Sequence, residues 1–128
     1  MYWASNRIDR IVKSTLGAET LALVDGSDTA YYISKLLSEI MINIPVTNIE
    51  RKCLTDSKSI CDNILTFNPT SDRRLRVDMA ALRQQIERKE IDVRWIPKQY
   101  QLSDCLTKRQ ASPYLLMQTL KTAKFVTG

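Results

Sequence analysis

The segment Lys52–Ser59 places the strongest constraint on the fold, because it predicts a short strand that runs directly into a helix. Its first half, Cys53-Leu54-Thr55, suits a pleated and mostly buried surface. The following Asp56-Ser57 has the turn and cap chemistry that begins a helix. An acid at the carboxyl end of a central strand stands where open α/β sheets place their chemistry. An isolated Asp at this point also serves simply as a helix cap, so a site requires other acids to reach the same place.

Helical and extended segments alternate along the whole chain. The predicted elements are strand pieces at Tyr2–Ser5 and Arg10–Lys13, a long helix from Ser14-Thr15 to about Met41, a strand at Glu50–Thr55, a short helix from Ser57, a helix from about Ser71 to Lys89, a strand at Ile91–Ile96, a helical turn at Leu102–Lys108 and a final helix from Ser112-Pro113 to about Ala123. This order indicates an α/β layer with right-handed crossovers between parallel strands. A chain of 128 residues fits one domain, 1–128, around a single core.

Apolar stripes at helix or strand spacing predict which side chains enter the core. The predicted sets are Glu19, Leu23, Gly26, Ala30, Ile33 and Leu37 in the long helix, Ile60, Cys61, Ile64 and Leu65 in the short one, Leu75, Met79, Leu82 and Ile86 in the next, Ile91, Val93 and Trp95 in the second strand, and Tyr114, Leu115, Met117 and Leu120 in the last helix. Trp95 is expected in the core rather than as a stacking platform for a base. Glu19 on such a stripe needs a partner, or else reaches water beside the positive end of the helix dipole.

Composition excludes several kinds of site. The chain has no His, which argues against histidine-based triads. It has three cysteines, Cys53, Cys61 and Cys105, and none of them forms a Cys-x-x-Cys pair. This odd number and spacing argue against zinc ribbons and disulfide scaffolds. Nineteen Lys and Arg against 14 Asp and Glu give a net charge of +5, which suits a polyanionic partner. No apolar run approaches the roughly 20 residues that span a bilayer, and the start lacks a secretory signal. We therefore expect an intracellular protein without a membrane partner.

Three acids follow or begin predicted elements at points that an α/β layer can bring to one edge of its sheet: Glu19, Asp56 and Asp104. Carboxylates that close repel each other and raise each other's pKa unless a cation neutralises them. Hard oxygen ligands select Mg²⁺ or Mn²⁺, and two such ions about 4 Å apart could hold a phosphodiester and activate water. The sequence thus indicates candidate catalytic and metal-binding acids.

Basic residues cluster on the outer faces of the helix after Pro69, namely Arg73, Arg74, Arg76, Arg83, Arg88 and Lys89. A solvated charged face is the ordinary explanation of such a cluster. Contact with phosphate is the more specific explanation, because the planar guanidinium group of Arg can donate two hydrogen bonds to phosphate oxygens. Candidate nucleic-acid contacts are Ser57, Lys58, Arg73, Arg74, Arg76 and Lys98.

Three motifs occur in order: Lys13–Thr20, Leu54–Ser59, and Ile91–Pro97 followed by Gln101–Lys108. Together they resemble the ribonuclease H domain at the end of the Pol polyprotein of LTR retrotransposons, most closely the Ty1/copia type, over residues 3 to about 110. The resemblance implies a ribonuclease H-like mixed sheet flanked by helices. It also implies two-metal hydrolysis of the RNA strand of RNA–DNA hybrids, with two Mg²⁺ or Mn²⁺ ions and the reverse transcriptase part of the same polyprotein as partner.

The family uses four acids, and three have counterparts here. Glu19 matches the helix-borne Glu, Asp56 the strand-end Asp, and Asp104 the Asp of the closing Ser-Asp-x-Leu-Thr-Lys motif. The first Asp belongs to a first strand upstream of the matching segment, and the context of Asp9 does not match it. We therefore expect an N-terminally truncated domain with its first strand or strands missing, either an excerpt of a longer polyprotein or a decayed or reused copy.

Several expectations follow from the missing first strand and its Asp. Hydrolysis by this chain should be weak or absent, and loss of a central strand should leave an exposed sheet edge through which copies self-associate. The alternative function is a non-catalytic nucleic-acid-binding or interaction module derived from the same fold. A third hypothesis is another member of the same fold, such as an integrase or junction nuclease. Those proteins have the carboxylates but lack the sequence motif of Leu102–Lys108.

Overall fold

The computed structural model describes residues 14–41, 49–66 and 72–125, together with the single residues 2, 4, 43 and 45. The elements in order are α1 (Thr15–Ile40), β1 (Lys52–Thr55), α2 (Lys58–Leu65), α3 (Arg73–Glu87), β2 (Asp92–Trp95), a 3₁₀ helix (Lys98–Tyr100), α4 (Asp104–Thr107) and α5 (Tyr114–Thr122). The predicted alternation of helices and strands is confirmed over this range. The strand pieces predicted at Tyr2–Ser5 and Arg10–Lys13 fall largely outside the described residues.

The described part of the chain contains one small sheet, in which β1 and β2 run parallel. Lys52 pairs with Asp92 at the amino end and Thr55 with Trp95 at the carboxyl end. A parallel pair needs a crossover connection, which α2 and α3 provide here. The chain is therefore a mixed α/β structure that is mostly helical.

The core lies where α2 packs against α3 and against β2, while α1 contacts both helices and β1. Its buried members are Ile60, Ile64, Leu75, Met79, Leu82 and Ile91, with Leu16, Leu23, Val24, Cys53, Ile86 and Val93 packed against them. The predicted stripe of α3 is confirmed in full. Each fully buried Leu, Ile or Met side chain contributes about 1.5–3 kcal/mol, so this cluster is the main source of stability.

Helix α1 begins at its predicted cap, because Ser14 Oγ accepts a hydrogen bond from Gly17 N at 3.1 Å. Its predicted core stripe is wrong only in part: Leu23 packs against the core, whereas Gly26 and Leu37 are exposed and Glu19 is half-buried. The fully buried residues of this helix are Gly17, Thr20, Ser27 and Ser34. The buried hydroxyls bond to carbonyl oxygens one turn back in the helix, as Thr20 Oγ1 does to Leu16 O at 2.7 Å. With their polar atoms satisfied locally, these small side chains can lie against neighbouring elements.

Arg51 ties the amino edge of the sheet to α1. Its Nε donates to Glu90 O at 2.8 Å and its Nη1 to Ser34 Oγ at 3.2 Å. Its guanidinium carbon also lies 5.0 Å from the ring centroid of Tyr31, within cation–π range. One side chain therefore connects the start of β1, the segment before β2 and the middle of α1.

Other predicted core positions are exposed in the structure. Trp95 is 46% exposed, and the next residue, Ile96, is buried in its place. Leu65, the last residue of α2, is 77% exposed. The last helix does not dock through Tyr114, Met117 and Leu120, which are exposed; Leu115 and Leu116 are the partly buried residues at its start.

Among the described helices, none has the length and apolarity that crossing a bilayer requires.

Candidate functional site

The carboxyl edge of the sheet brings two loops side by side. Thr55 and Trp95 form the last pair of the ladder, and Ile96 N donates to Thr55 O at 2.9 Å. From this point Asp56-Ser57 leads into α2, while Ile96-Pro97 leads into the 3₁₀ helix. Residues near positions 56–58 and 95–98 therefore share one edge, the position predicted from the Lys52–Ser59 segment.

Asp56 is not the cap of α2. The cap position belongs to Ser57, whose side chain makes no capping hydrogen bond and instead lies 3.0 Å from Ser59 Oγ. The turn is held by Thr55, whose Oγ1 accepts a hydrogen bond from Ser57 N at 3.1 Å. The helix-cap explanation of Asp56 is thus removed, and its carboxylate stands one residue beyond the end of β1.

Trp95 is a functional candidate at this edge that the sequence interpretation missed. Its indole Nε1 donates to the backbone carbonyl oxygen of Asp56 at 3.2 Å, while nearly half of the side chain stays exposed. The bond orients the ring against the loop that carries Asp56. An exposed and oriented indole can stack on a base or pack on a sugar, as at single-strand binding surfaces. The sequence signal that could have identified Trp95 is its position at the end of a strand, immediately before Ile96-Pro97.

The predicted basic contacts lie in two groups. Lys58 and Lys98 are exposed and begin the two elements that follow the carboxyl edge, α2 and the 3₁₀ helix. Arg73, Arg74 and Arg76 are exposed on the first turn of α3, which Asp72 caps by accepting from Arg74 N at 2.9 Å. Both groups carry cations that a phosphate backbone could reach.

The remaining cations have other positions. Arg83 does not lie on an outer face: its Nε donates to Ile64 O at 2.8 Å, and its Nη2 donates to Asn63 O at 2.7 Å and Thr66 O at 2.8 Å. These are carbonyl groups at the end of α2, so Arg83 caps that helix. Arg88 and Lys89 line an open groove of about 630 Å³ at the amino edge, away from Asp56.

The three candidate acids differ in their surroundings. Glu19 is half-buried near the start of α1, and Asp56 follows β1. Asp104 begins α4, and its Oδ2 accepts from Lys108 Nζ at 2.6 Å. Within the described part of the chain, no three acidic or cysteine side chains are grouped so that they could hold a metal ion. These residues as placed do not supply the ligand set of a two-metal centre, and that centre stays a prediction.

Burial raises the pKa of the Cys53 thiol on β1, and a nearby Arg51 charge opposes this only in part. Burial also raises the pKa of Cys61 on α2, and the charge of Asp62 adds to the increase. A thiol with a raised pKa is a poor nucleophile at neutral pH. The raised pKa values therefore disfavour a nucleophilic role for these two cysteines at neutral pH.

Comparisons with protein-family models, with curated proteins and with solved structures found no match to this chain. The three sequence motifs and the geometry of the carboxyl edge are therefore the grounds on which a function can be argued.

Proposed function

We propose that the chain is a ribonuclease H-like domain that binds nucleic acid, with RNA–DNA hybrid as its principal ligand, at the carboxyl edge of β1 and β2. The observation that carries this proposal is the exposed indole of Trp95, which is hydrogen-bonded to the backbone of Asp56 at the point where both strands end. Lys58 and Lys98 flank the same point. An exposed aromatic side chain and cations at the same edge are the groups that bind the bases and phosphates of nucleic acids.

Each group has a separate part in binding. The Trp95 ring offers a stacking surface worth about 1–3 kcal/mol per base. Lys58 and Lys98 contribute sequence-independent attraction to phosphates, which weakens as salt concentration rises. Arg73, Arg74 and Arg76 extend the positive surface along the first turn of α3. In this proposal the partner protein is the reverse transcriptase part of a Pol polyprotein, and the setting is intracellular.

Hydrolysis of the RNA strand is the catalytic part of the proposal, with Mg²⁺ or Mn²⁺ as cofactor and Glu19, Asp56 and Asp104 as the matching acids. We expect it to be weak or absent in this chain, because those acids are not grouped as metal ligands and the family's fourth acid has no counterpart in the motifs. A two-metal site that lacks a ligand stabilises the attacking and leaving oxygens of the reaction less well.

A specific observation favours a second candidate, the non-catalytic nucleic-acid-binding module. Asp104 Oδ2 is already paired with Lys108 Nζ at 2.6 Å, which neutralises one acid without a metal. The binding surface around Trp95 needs none of the three acids as metal ligands. Binding without cleavage is the result that this candidate predicts.

Fluorescence anisotropy with a short labelled RNA–DNA hybrid tests the binding surface. Trp95→Ala should weaken binding by about 1–3 kcal/mol, while Trp95→Phe should retain most of the stacking. Joint replacement of Lys58 and Lys98 by Gln should weaken binding and reduce its salt dependence. The control Lys121→Gln alters an exposed cation on α5 and should leave affinity unchanged. An affinity that Trp95→Ala does not alter, with folding verified by circular dichroism, would refute the proposed surface.

A cleavage assay with labelled hybrid and Mn²⁺ or Mg²⁺ separates the two candidates. Weak metal-dependent cleavage that Glu19→Gln and Asp56→Asn both abolish supports the ribonuclease. Binding without cleavage supports the module. Cleavage that survives both substitutions contradicts the assignment of these acids.

Self-association through a sheet edge belongs to the same proposal. The sheet of the described residues has two strands, so each strand has one edge with no strand partner among those residues, and such an edge can pair with another copy. Light scattering over a range of concentrations measures it, and a monomer throughout that range would contradict the expectation.

A further inference from the structure

A partly open cavity of about 300 Å³ lies next to the proposed surface. It is enclosed by the 3₁₀ helix that follows β2, by the start of α4 and by the start of α5. Lys98 belongs both to its lining and to the carboxyl edge, three residues after Trp95, so the cavity adjoins the segment that follows β2. Its volume is at the small end of the range of ligand pockets, about 300–1,000 Å³, which favours a single ring over a larger ligand.

The lining combines apolar walls with hydrogen-bonding groups. Leu115 and the ring of Tyr114, which is 67% exposed, offer surfaces for the face and edge of a flat ring. The amides of Gln99 and Gln101 can both donate and accept hydrogen bonds. An aromatic and aliphatic wall with a few polar groups is the lining that holds an unstacked base.

The carboxylate of Asp104 also lines this cavity and makes the lining selective. It is 22% exposed, and Lys108 Nζ contacts one of its oxygens. An ionised carboxylate has about four acceptor positions, so one ion pair does not exhaust it. It can accept from the amino group N4 of cytosine, whereas the O4 oxygen of uracil in the same place would be repelled.

From this lining we infer that the cavity holds one unpaired base of the bound nucleic acid and prefers cytosine to uracil. This deepens the binding part of the proposed function, on which it rests and which needs no metal at Asp104, by naming the substrate class: a hybrid with a single-stranded extension next to the duplex. Trp95 and Lys98 hold the adjoining backbone and base, while the cavity takes the first unpaired nucleotide.

The test compares three ligands by anisotropy in EDTA, so that no hydrolysis occurs: a blunt hybrid, the same hybrid with a short cytidine overhang, and the same hybrid with a uridine overhang. The wild-type chain should bind the cytidine overhang about tenfold more tightly than the uridine overhang. Asp104→Asn should bring that ratio close to one, because an amide can donate to uracil O4. The control Asp62→Asn removes an exposed carboxylate on α2, outside the cavity lining, and should keep the ratio.

A second variant tests the cavity itself. Ala111→Leu adds volume at its wall and should abolish the advantage of a cytidine overhang over the blunt hybrid. Equal affinity for the two overhangs, or a ratio that survives Asp104→Asn, overturns the inference. If the blunt hybrid does not bind at all, the proposed function fails. Chemical-shift changes with cytidine monophosphate against uridine monophosphate then decide whether the cavity prefers cytosine.

Discussion

Trp95 and Asp56 are joined by a hydrogen bond from the indole Nε1 to the backbone carbonyl oxygen, 3.2 Å long, although 39 residues separate them in the chain. The bond connects the loop after β1 to the end of β2. Nearly half of the Trp95 side chain stays exposed.

Trp95→Phe is predicted to separate the structural part of this relationship from its binding part. Phe keeps an aromatic face but removes the hydrogen bond, so unfolding free energy should fall by about 0.5–1.5 kcal/mol, with the low end expected at an exposed site. Urea denaturation measures this change. A fall in hybrid affinity for Trp95→Phe as large as that for Trp95→Ala would show that the bond, rather than the ring, governs binding.

Arg83→Met is predicted to be strongly destabilising for a charged residue. It removes a guanidinium that donates to three carbonyl oxygens at the end of α2, and hydrogen bonds from charged groups contribute about 1.5–3 kcal/mol each. We expect unfolding free energy to fall by about 2–4 kcal/mol in denaturant titrations, since water will solvate some of the carbonyls. The matched variant Arg76→Met, at an exposed position of the same helix, should change it by less than about 0.5 kcal/mol. Equal effects would contradict the capping role.

Ser27→Leu is predicted to disturb the contact between α1 and α3. Ser27 is buried and its hydroxyl lies 3.1 Å from Gln85 Oε1, so a larger side chain must displace α3. Overpacking of this kind costs about 1–3 kcal/mol. The same enlargement at exposed Ala22, on another face of α1, should be nearly neutral. A lowered melting temperature for Ala22→Leu but not Ser27→Leu would mean that the buried face has been assigned wrongly.

Lys89→Gly is predicted to stabilise the chain. Lys89 has a φ of 57°, and the bonds Lys89 N to Ile86 O and Glu90 N to Gln85 O complete a Schellman motif at the end of α3. A side chain in this left-handed conformation costs about 1 kcal/mol, which Gly avoids, although part of the gain is lost to greater freedom of the unfolded chain. Arg88→Gly, one residue earlier at a φ of −76°, should destabilise instead. Thermal unfolding of the pair decides the sign.

The burial of Cys53 predicts a loss of stability at alkaline pH. Burial raises the pKa of its thiol, so the folded chain keeps this proton at pH values where the unfolded chain releases it. The contribution is complete below the unfolded pKa of about 8.5 and is lost as pH rises through the higher folded value. Cys53→Val should therefore flatten the decline of unfolding free energy above about pH 8.5, and adding Cys61→Val should flatten it further. An unchanged slope would mean that the thiols do not contribute.

Parts of this fold follow from strong local patterns. The stripe of α3 and the cap at Ser14 were predictable because helix periodicity and cap chemistry act over a few residues. The buried face of α1 could not be predicted, because Thr20, Ser27 and Ser34 are polar residues that a sequence pattern assigns to the surface. In the structure their hydroxyls form hydrogen bonds within the helix. Tertiary neighbours alone reveal the burial of such residues.

The candidate site was predictable in position but not in detail. The carboxyl edge followed from the strand-to-helix pattern at Asp56. The exposure of Trp95 depends on which elements cover the end of β2, and the role of Arg83 depends on where α2 ends in space. Spacing along the chain cannot decide whether Glu19, Asp56 and Asp104 meet, because side-chain placement at three distant points depends on all the packing between them.

The two ends of the parallel strands are built differently, and this has a consequence for how the chain tolerates change. At the amino end, the Arg51 side chain contacts Glu90, Ser34 and Tyr31. At the carboxyl end, the Trp95 side chain makes one hydrogen bond to the main chain and is nearly half exposed. Substitutions at the carboxyl end should therefore disturb the fold less than substitutions at the amino end. A saturation library should show the same division, with variants at position 51 lost through poor expression and variants at position 95 well expressed but altered in what they bind.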